Sequence, residues 1–488
     1  MHVSYLRFAT ARWMDFTSST IGIFLNKRAS ATSCANKQII FHASDCFSNR
    51  AIAIKLYIYL QIARLWCMNT PFILVKYMKN KYYLLEECSG TIQREIGFMP
   101  EKEKKSFKNT IGNIFTLASV MLMNIACLKI GTARLGIDYA TFYTTGKMVI
   151  SGDISSIYSM PIHHSVLENL VGAVPYFLEW VYPPTFLFAV VPLVFLPLQV
   201  SFVLWMIVTF IPAAFAVYFL SNKNKLAPLV FSLFPGTFLN IRWGQNGFLT
   251  AALLGFGIYF AETNPLMSGL MFGLLTFKPQ IAMIPFVILL ALKKWNVFGW
   301  SCLFAATFAA ISGLVFGYQP WFDFVSTTFN SSSMLSDVWA GAMWGIPTLY
   351  TSLRCMGLSG IVLSGILVIF AAASIYACVR VWKQTNQFSM RAMSLVMCLF
   401  LTLPYISLYE CSLIGIPFTL LFFECIDKKE WSFHPYALLL LWILPLICLF
   451  IFVKSNIQLF PFVLAGYMIA VVYFSDKKRY NVALKLAK

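Results

Sequence analysis

Charge is what this chain has least of: Asp, Glu, Lys and Arg together make up 11% of its 488 residues, against about 25% in an ordinary soluble domain. Hydrophobic residues make up 59%. That imbalance excludes a soluble globular enzyme and marks an integral membrane protein. The apolar residues fall into long runs and not into short alternating segments, so the spans read as helices and a strand-built barrel is excluded. Acidic residues are scarcer than basic ones, 19 against 37, for a net charge of +18. In a soluble protein that excess suggests nucleic acid. Here Lys and Arg sit in short clusters between apolar runs, the pattern of topology signals, so no nucleic-acid partner is expected.

Further absences narrow the chemistry. The twelve Cys include no Cys-x-x-Cys pair. Most, such as Cys127, Cys302, Cys378, Cys398 and Cys448, lie in apolar runs and read as small buried hydrophobes. Neither a metal site nor a disulfide framework follows. No repeat of fixed period is visible, which counts against transporter architectures that need one. There are five His; His163 and His164 read as a solvated pair, and no second ligand cluster supports a metal. No cofactor is expected.

What is present has a clear order. Residues 1–98 are mixed in composition and hold Cys34, Cys46, Cys67 and Cys88. Their one apolar stretch, Ala51 to Tyr77, is interrupted by Lys55, Arg64 and Lys76. They read as an N-terminal extension without a clear fold, the alternative being a peripheral or once-spanning appendage, and Met99 opens a second start-like stretch. From 99 to 480 the chain reads as one polytopic, all-α membrane bundle. Ile111 to Ile130 is the first clear span, and the Lys cluster at 102–108 sets its start on the cytoplasmic side. Residues 131–198 then form a first outer loop and 318–357 a second. Within the first, Thr185 to Leu198 is short, broken by Pro192 and Pro197, and reads as a surface or re-entrant helix.

Charge parity orders the rest. Spans are expected over 199–220, Ala227 to Ile241, Phe248 to Ala261, Pro265 to Phe277, Ile281 to Leu292, Val297 to Gly317, Ile361 to Trp382, Ala392 to Leu408, Cys411 to Cys425, Pro435 to Val453 and Ile457 to Phe474. With the first, that makes about twelve, several short for a ~30 Å apolar core. All the polar motifs then fall on the outer face, where they are able to converge on one pocket.

The central stretch runs from Pro235 to Gln280, with Arg242, Gln245, Asn246, Lys278 and Gln280 at the ends of otherwise apolar helices. Such groups are costly unless they serve a site. Arg242 and Lys278 suit an anion such as phosphate, or else snorkel to lipid headgroups. Gln245 and Asn246 are either helix caps or partners for sugar hydroxyls. Asp138, after Gly136-Ile137, is either an N-cap or a general base. Glu410 caps a helix or bonds a sugar. Trp321, Trp339 and Trp344 in the second loop offer faces for a sugar, or form an interfacial belt.

Taken in order, Gly136-Ile137-Asp138-Tyr139 with Tyr143, Ser151-Gly152-Asp153 with Tyr158, Tyr182-Pro183-Pro184, Gly244-Gln245-Asn246, Gly269 to Lys278-Pro279-Gln280, and Pro404-Tyr405 with Tyr409-Glu410 resemble family 87 of the glycosyltransferases, over roughly residues 110–475. The resemblance implies a polytopic GT-C fold in a bacterial inner membrane. It implies transfer of a mannose-like hexose from a polyprenyl phosphate donor to a lipid or glycan acceptor at the periplasmic face. An acidic residue of the first outer loop serves as base in GT-C enzymes, and Asp138 stands at that position. The family commonly has Asp where this chain has Glu410. On this reading Lys278 and Arg242 bind the donor phosphate, while Tyr182, Gln245, Asn246, Gln280, Tyr405, Glu410 and Trp344 contact sugar or acceptor. Neither outer loop has an Asp-x-Asp, so no metal is expected. The competing class is a transporter or flippase of lipid-linked sugar, which would use the same basic pocket without chemistry but would want its polar groups at the bilayer midplane.

Overall fold

The computed structural model describes residues 136–174, 178, 180–338, 343–428 and 435–476. Residues 1–98, the expected span at Ile111 to Ile130, Trp339 and the last basic cluster, Lys477 to Arg479, lie outside them. All described elements are helices.

The chain enters through α1 (Ile137–Ile150) and α2 (Met160–Val171), then passes a broken stretch of 3-10 turns around α3 (Leu187–Val190). The long α4 (Leu198–Leu220) follows. Next come α5 (Ala227–Ser232), α6 (Pro235–Trp243), α7 (Gly247–Thr263), α8 (Pro265–Leu274), α9 (Pro279–Ala291) and α10 (Trp295–Phe316). The second half holds α11 (Gln319–Val338), α12 (Leu349–Cys355), α13 (Gly360–Gln384), α14 (Phe388–Thr402), α15 (Ser412–Lys428), α16 (Pro435–Ser455) and α17 (Phe460–Ser475).

Among the described residues, five helices are long and apolar enough to cross a membrane: Leu198–Leu220, Trp295–Phe316, Gly360–Gln384, Leu408–Cys425 and Ala437–Ser455. The other apolar helices, including α7, α8, α9, α14 and α17, are shorter. Proline is one reason. Pro235, Pro265 and Pro279 each stand at the first position of a helix, where a missing N–H costs nothing and the preceding residue is driven out of the helical region. Pro235 thereby splits the span expected at 227–241 into α5 and α6. The stretch 185–198 is broken, as its prolines foretell. The second outer loop differs from expectation in being largely helical, as α11, a turn at Met343–Gly345, and α12.

Close packing of α8 on α10 sets the position of the residues that follow it. A Cβ on Gly269 would sit 2.9 Å from the Trp300 backbone carbonyl carbon, and one on Gly273 would sit 3.1 Å from the Ala305 nitrogen. Small residues at this spacing let two backbones approach where lipid gives no hydrophobic drive. Cys378, Cys398 and Cys448 are buried as expected, whereas Cys302 is exposed.

Candidate active site

Two left-handed glycines set Asp138 against the central stretch. Gly136 precedes α1 at φ +73° and Gly244 ends α6 at φ +73°, a region that favours glycine. The Gly136 N–H donates to the Arg242 carbonyl at 3.0 Å. A Cβ on Gly244 would lie 2.6 Å from Tyr139 Cβ and 3.1 Å from Gly136 Cα. The two turns therefore touch backbone to backbone, and a side chain at Gly244 would push them apart. Behind them the Tyr139 and Ser201 hydroxyls are hydrogen-bonded, and Ser201 donates to the Leu193 carbonyl at 2.6 Å. That chain anchors α1 to α4.

Asp138 sits in the first turn of α1 and does not cap it, since Gly136 holds the N-cap position. Instead its Oδ2 accepts a 3.0 Å hydrogen bond from Gln245 Nε2. The Gln245 Oε1 in turn accepts from the Tyr182 hydroxyl at 3.1 Å. Gln245 thus bridges the carboxylate to Tyr182, whose ring packs on Phe186 and Trp180 at centroid distances of 4.6 and 5.2 Å. Burial pushes Asp138 up to about 7, against the opposing pull of the Gln245 hydrogen bond and the Arg242 charge. Burial, reinforced by Glu410, holds the Tyr182 phenol well above its usual range, so it remains a donor.

Asn246 occupies the N-cap position of α7 without capping it. Asn240 Oδ1 takes that task, accepting the Gly247 N–H at 2.9 Å. The buried Asn246 side chain lies beside the Tyr182 hydroxyl instead.

The second half of the site is an ion pair. Lys278, between α8 and α9, is bonded to Glu410 Oε1, and both side chains are 3% exposed. The ammonium also lies 5.3 Å from the Tyr409 ring centroid and 5.9 Å from that of Phe277. Glu410 Oε2 is buried and has no hydrogen-bond partner. A small cavity is lined by Tyr182, Lys278, Gln280, Tyr405, Tyr409 and Glu410, among others. Its volume of about 30 Å³ holds one or two waters. A hexose enters only if the walls move.

Tyr182 lines this cavity and also reaches Gln245, so the Asp138 half and the Lys278 half share a wall. Arg242 is 3% exposed in the last turn of α6. Gln280 is exposed at the start of α9 and lines the cavity. Trp344 lies in the turn Met343–Gly345; its side chain is outside the described set. Segments 131–198 and 318–357 meet around the site. The Tyr158 hydroxyl donates to the Tyr182 carbonyl at 2.8 Å, and its ring lies 6.1 Å from Phe324 of α11. Thr348 donates to the Pro404 carbonyl at 2.9 Å. Sequence reasoning passed over Thr348 and Ser407; the latter bonds the Tyr405 hydroxyl at 3.0 Å. Thr348 carries the mark of a helix N-cap and nothing that singles out a site.

One expectation is corrected. His163 is not solvated: it is 1% exposed, between α1 and α2, with Nε2 bonded to Thr145 Oγ1 at 2.9 Å. His164 is partly exposed and faces Glu168 at 3.6 Å. Among the described residues no His, Cys, Asp and Glu cluster is arranged to hold a metal.

Residues 180–404 match the model of glycosyltransferase family 87. That match supports membership of the family. No curated protein and no solved structure matches. The family 87 match covers Tyr182, Arg242, Gln245, Asn246, Lys278, Gln280 and Trp344, while Asp138, Tyr405 and Glu410 lie outside it. A glycosyltransferase with membrane helices takes a sugar donor and an acceptor at the membrane.

Proposed function

We propose that this chain is an inverting hexosyltransferase of GT-C type with about twelve spans. It moves a mannose-like sugar from a polyprenyl phosphate to a lipid or glycan acceptor at the periplasmic face of a bacterial inner membrane. Asp138 is the general base. It takes the proton of an acceptor hydroxyl, that oxygen forms a bond to the sugar C1, and the C1–O bond to phosphate breaks with its electron pair leaving on the lipid phosphate. Lys278 and Arg242 bind that phosphate and stabilise the charge it gains. Tyr182, Gln245, Asn246, Gln280, Tyr405, Glu410 and Trp344 contact sugar or acceptor. The polyprenyl tail lies in the bilayer against the apolar helices. No metal or other cofactor is required in this scheme.

The observation that carries the reading is Asp138 itself: a carboxylate pushed up to about 7 by burial and oriented by Gln245, which also reaches the cavity wall through Tyr182. A base works best when its pKa lies near the working pH. The test compares the intact chain with Asp138→Asn in lipid, using radiolabelled polyprenyl phosphohexose and a membrane glycolipid extract. Donor binding retained with turnover lost by at least about 10²-fold supports the base. Unchanged turnover removes Asp138 from the mechanism, and donor binding without turnover in the intact chain favours a lipid carrier.

A further inference from the structure

The candidate site holds two cations, Arg242 and Lys278, and two carboxylates, Asp138 and Glu410. Lys278 is already neutralised. A buried pair of this kind costs desolvation that its attraction recovers only with good geometry, and a site meant merely to hold an anion would leave its lysine uncovered. We propose that Glu410 is a specificity-determining residue: by covering Lys278 it lets the site hold the singly charged phosphodiester of a lipid-linked sugar and release the more highly charged phosphate monoester left behind. This rests on the transferase reading above.

The charges supply the argument. A phosphodiester carries one negative charge, whereas a phosphate monoester carries about −1.5 to −2 near neutral pH. Two uncovered cations would therefore grip the product more tightly than the donor, and the site would fill with its own leaving group. With Glu410 on Lys278, an incoming phosphate shares the ammonium with a carboxylate. The extra charge of a monoester then meets Glu410 Oε2, which is buried without a hydrogen-bond partner on the wall of the same cavity. The Tyr409 and Phe277 rings beside the ammonium keep it in place, so repulsion acts on the ligand and does not simply separate the pair.

The experiment measures binding of polyprenyl phosphate and of polyprenyl phosphohexose to the full chain in lipid nanodiscs, for the unaltered protein, Glu410→Gln and Glu410→Asp. The unaltered chain is expected to bind the donor at least as tightly as polyprenyl phosphate. Glu410→Gln is expected to tighten polyprenyl phosphate about tenfold more than the donor, and Glu410→Asp to keep the unaltered ratio. The unaltered chain needs no variant to fold, and product binding tenfold tighter than donor there overturns the proposal. Equal effects of Glu410→Gln on both lipids overturn it while leaving the transferase reading intact. Binding of neither lipid to the unaltered chain overturns both.

Discussion

Gln245 and Asp138 stand 107 positions apart and meet in a 3.0 Å hydrogen bond. The same amide group accepts the Tyr182 hydroxyl, so its orientation is set from both ends: nitrogen towards the carboxylate, oxygen towards the phenol. The bond stabilises the ionised form of Asp138 and pulls its pKa down against burial. Replacing Gln245 with Leu removes that pull, so the carboxylate ionises only at higher pH. The acid limb of the turnover profile is expected to move up by about one pH unit, with a loss of about fivefold at pH 7 that is largely recovered at pH 8. A limb that stays in place would mean that Gln245 does not act through Asp138.

Asp138 also links stability to pH. Its folded pKa, about 7, lies above the model value of 3.8, so the folded state binds a proton that the unfolded state has lost. The stability this group contributes is fully present below pH 3.8 and is lost as pH rises through 7. Asp138→Asn removes the penalty. The variant is expected to unfold at higher temperature than the unaltered chain at pH 8, with the gap closing towards pH 4. The ceiling on the difference is about 4 kcal/mol, reduced because Asp138 keeps part of its surface open. A residue that is less stable when mutated at pH 8 would be a structural acid and a poor candidate for the base.

Much of this candidate site is legible in the sequence, for a reason specific to membranes. Arg242, Gln245 and Lys278 stand at the ends of apolar helices where polar groups are expensive, so their presence alone singles them out. Their pairing was not legible. Nothing in the local pattern tells that Lys278 meets Glu410, 132 positions on, or that Gln245 reaches Asp138 while its neighbour Asn246 leaves the capping of the helix to Asn240. Pro235 marks the break of 227–241, but the apolar run continues through it and hides the signal. His163 was misread because α2 is short and mixed, and its burial depends on docking against α1, which no periodicity within α2 announces.

Away from the site, Arg391 in the first turn of α14 ties together the opposite end of that helix. It donates to the carbonyls of Thr385 at 2.7 Å and Trp382 at 2.8 Å, to Asn386 Oδ1 at 2.7 Å and to Glu262 Oε1 at 2.6 Å. It also faces the Trp382 ring at 5.3 Å. A Lys there keeps the charge but lacks the fork of donors, leaving carbonyls unsatisfied. Arg391→Lys is expected to cost about 2 kcal/mol of stability, seen as a lower unfolding temperature. About 16 Å of helix separates it from Thr402, beyond which the chain leads to Tyr405, so turnover per folded molecule should not change. A loss of turnover in the folded fraction would show that this end communicates with the site.

His163 gives the opposite pH dependence to Asp138. Burial pushes its pKa down to about 4, below the ordinary 6.5, so the unfolded state takes up a proton that the folded state refuses. Stability from this group is fully present above pH 6.5 and is lost as pH falls through 4, by up to about 3 kcal/mol. His163→Gln keeps a partner for Thr145 without a titrating ring, and should abolish this group's loss of stability on the acid side while leaving the value at pH 8 within about 1 kcal/mol. Because Asp138 gains stability over the same acid range, the two effects partly cancel in the unaltered chain. They separate in the variants: His163→Gln exposes the rise in stability on acidification that Asp138 causes, and the double variant with Asp138→Asn should show neither. A profile in which His163→Gln still weakens steeply between pH 6.5 and 4 would mean that another buried group carries the acid sensitivity.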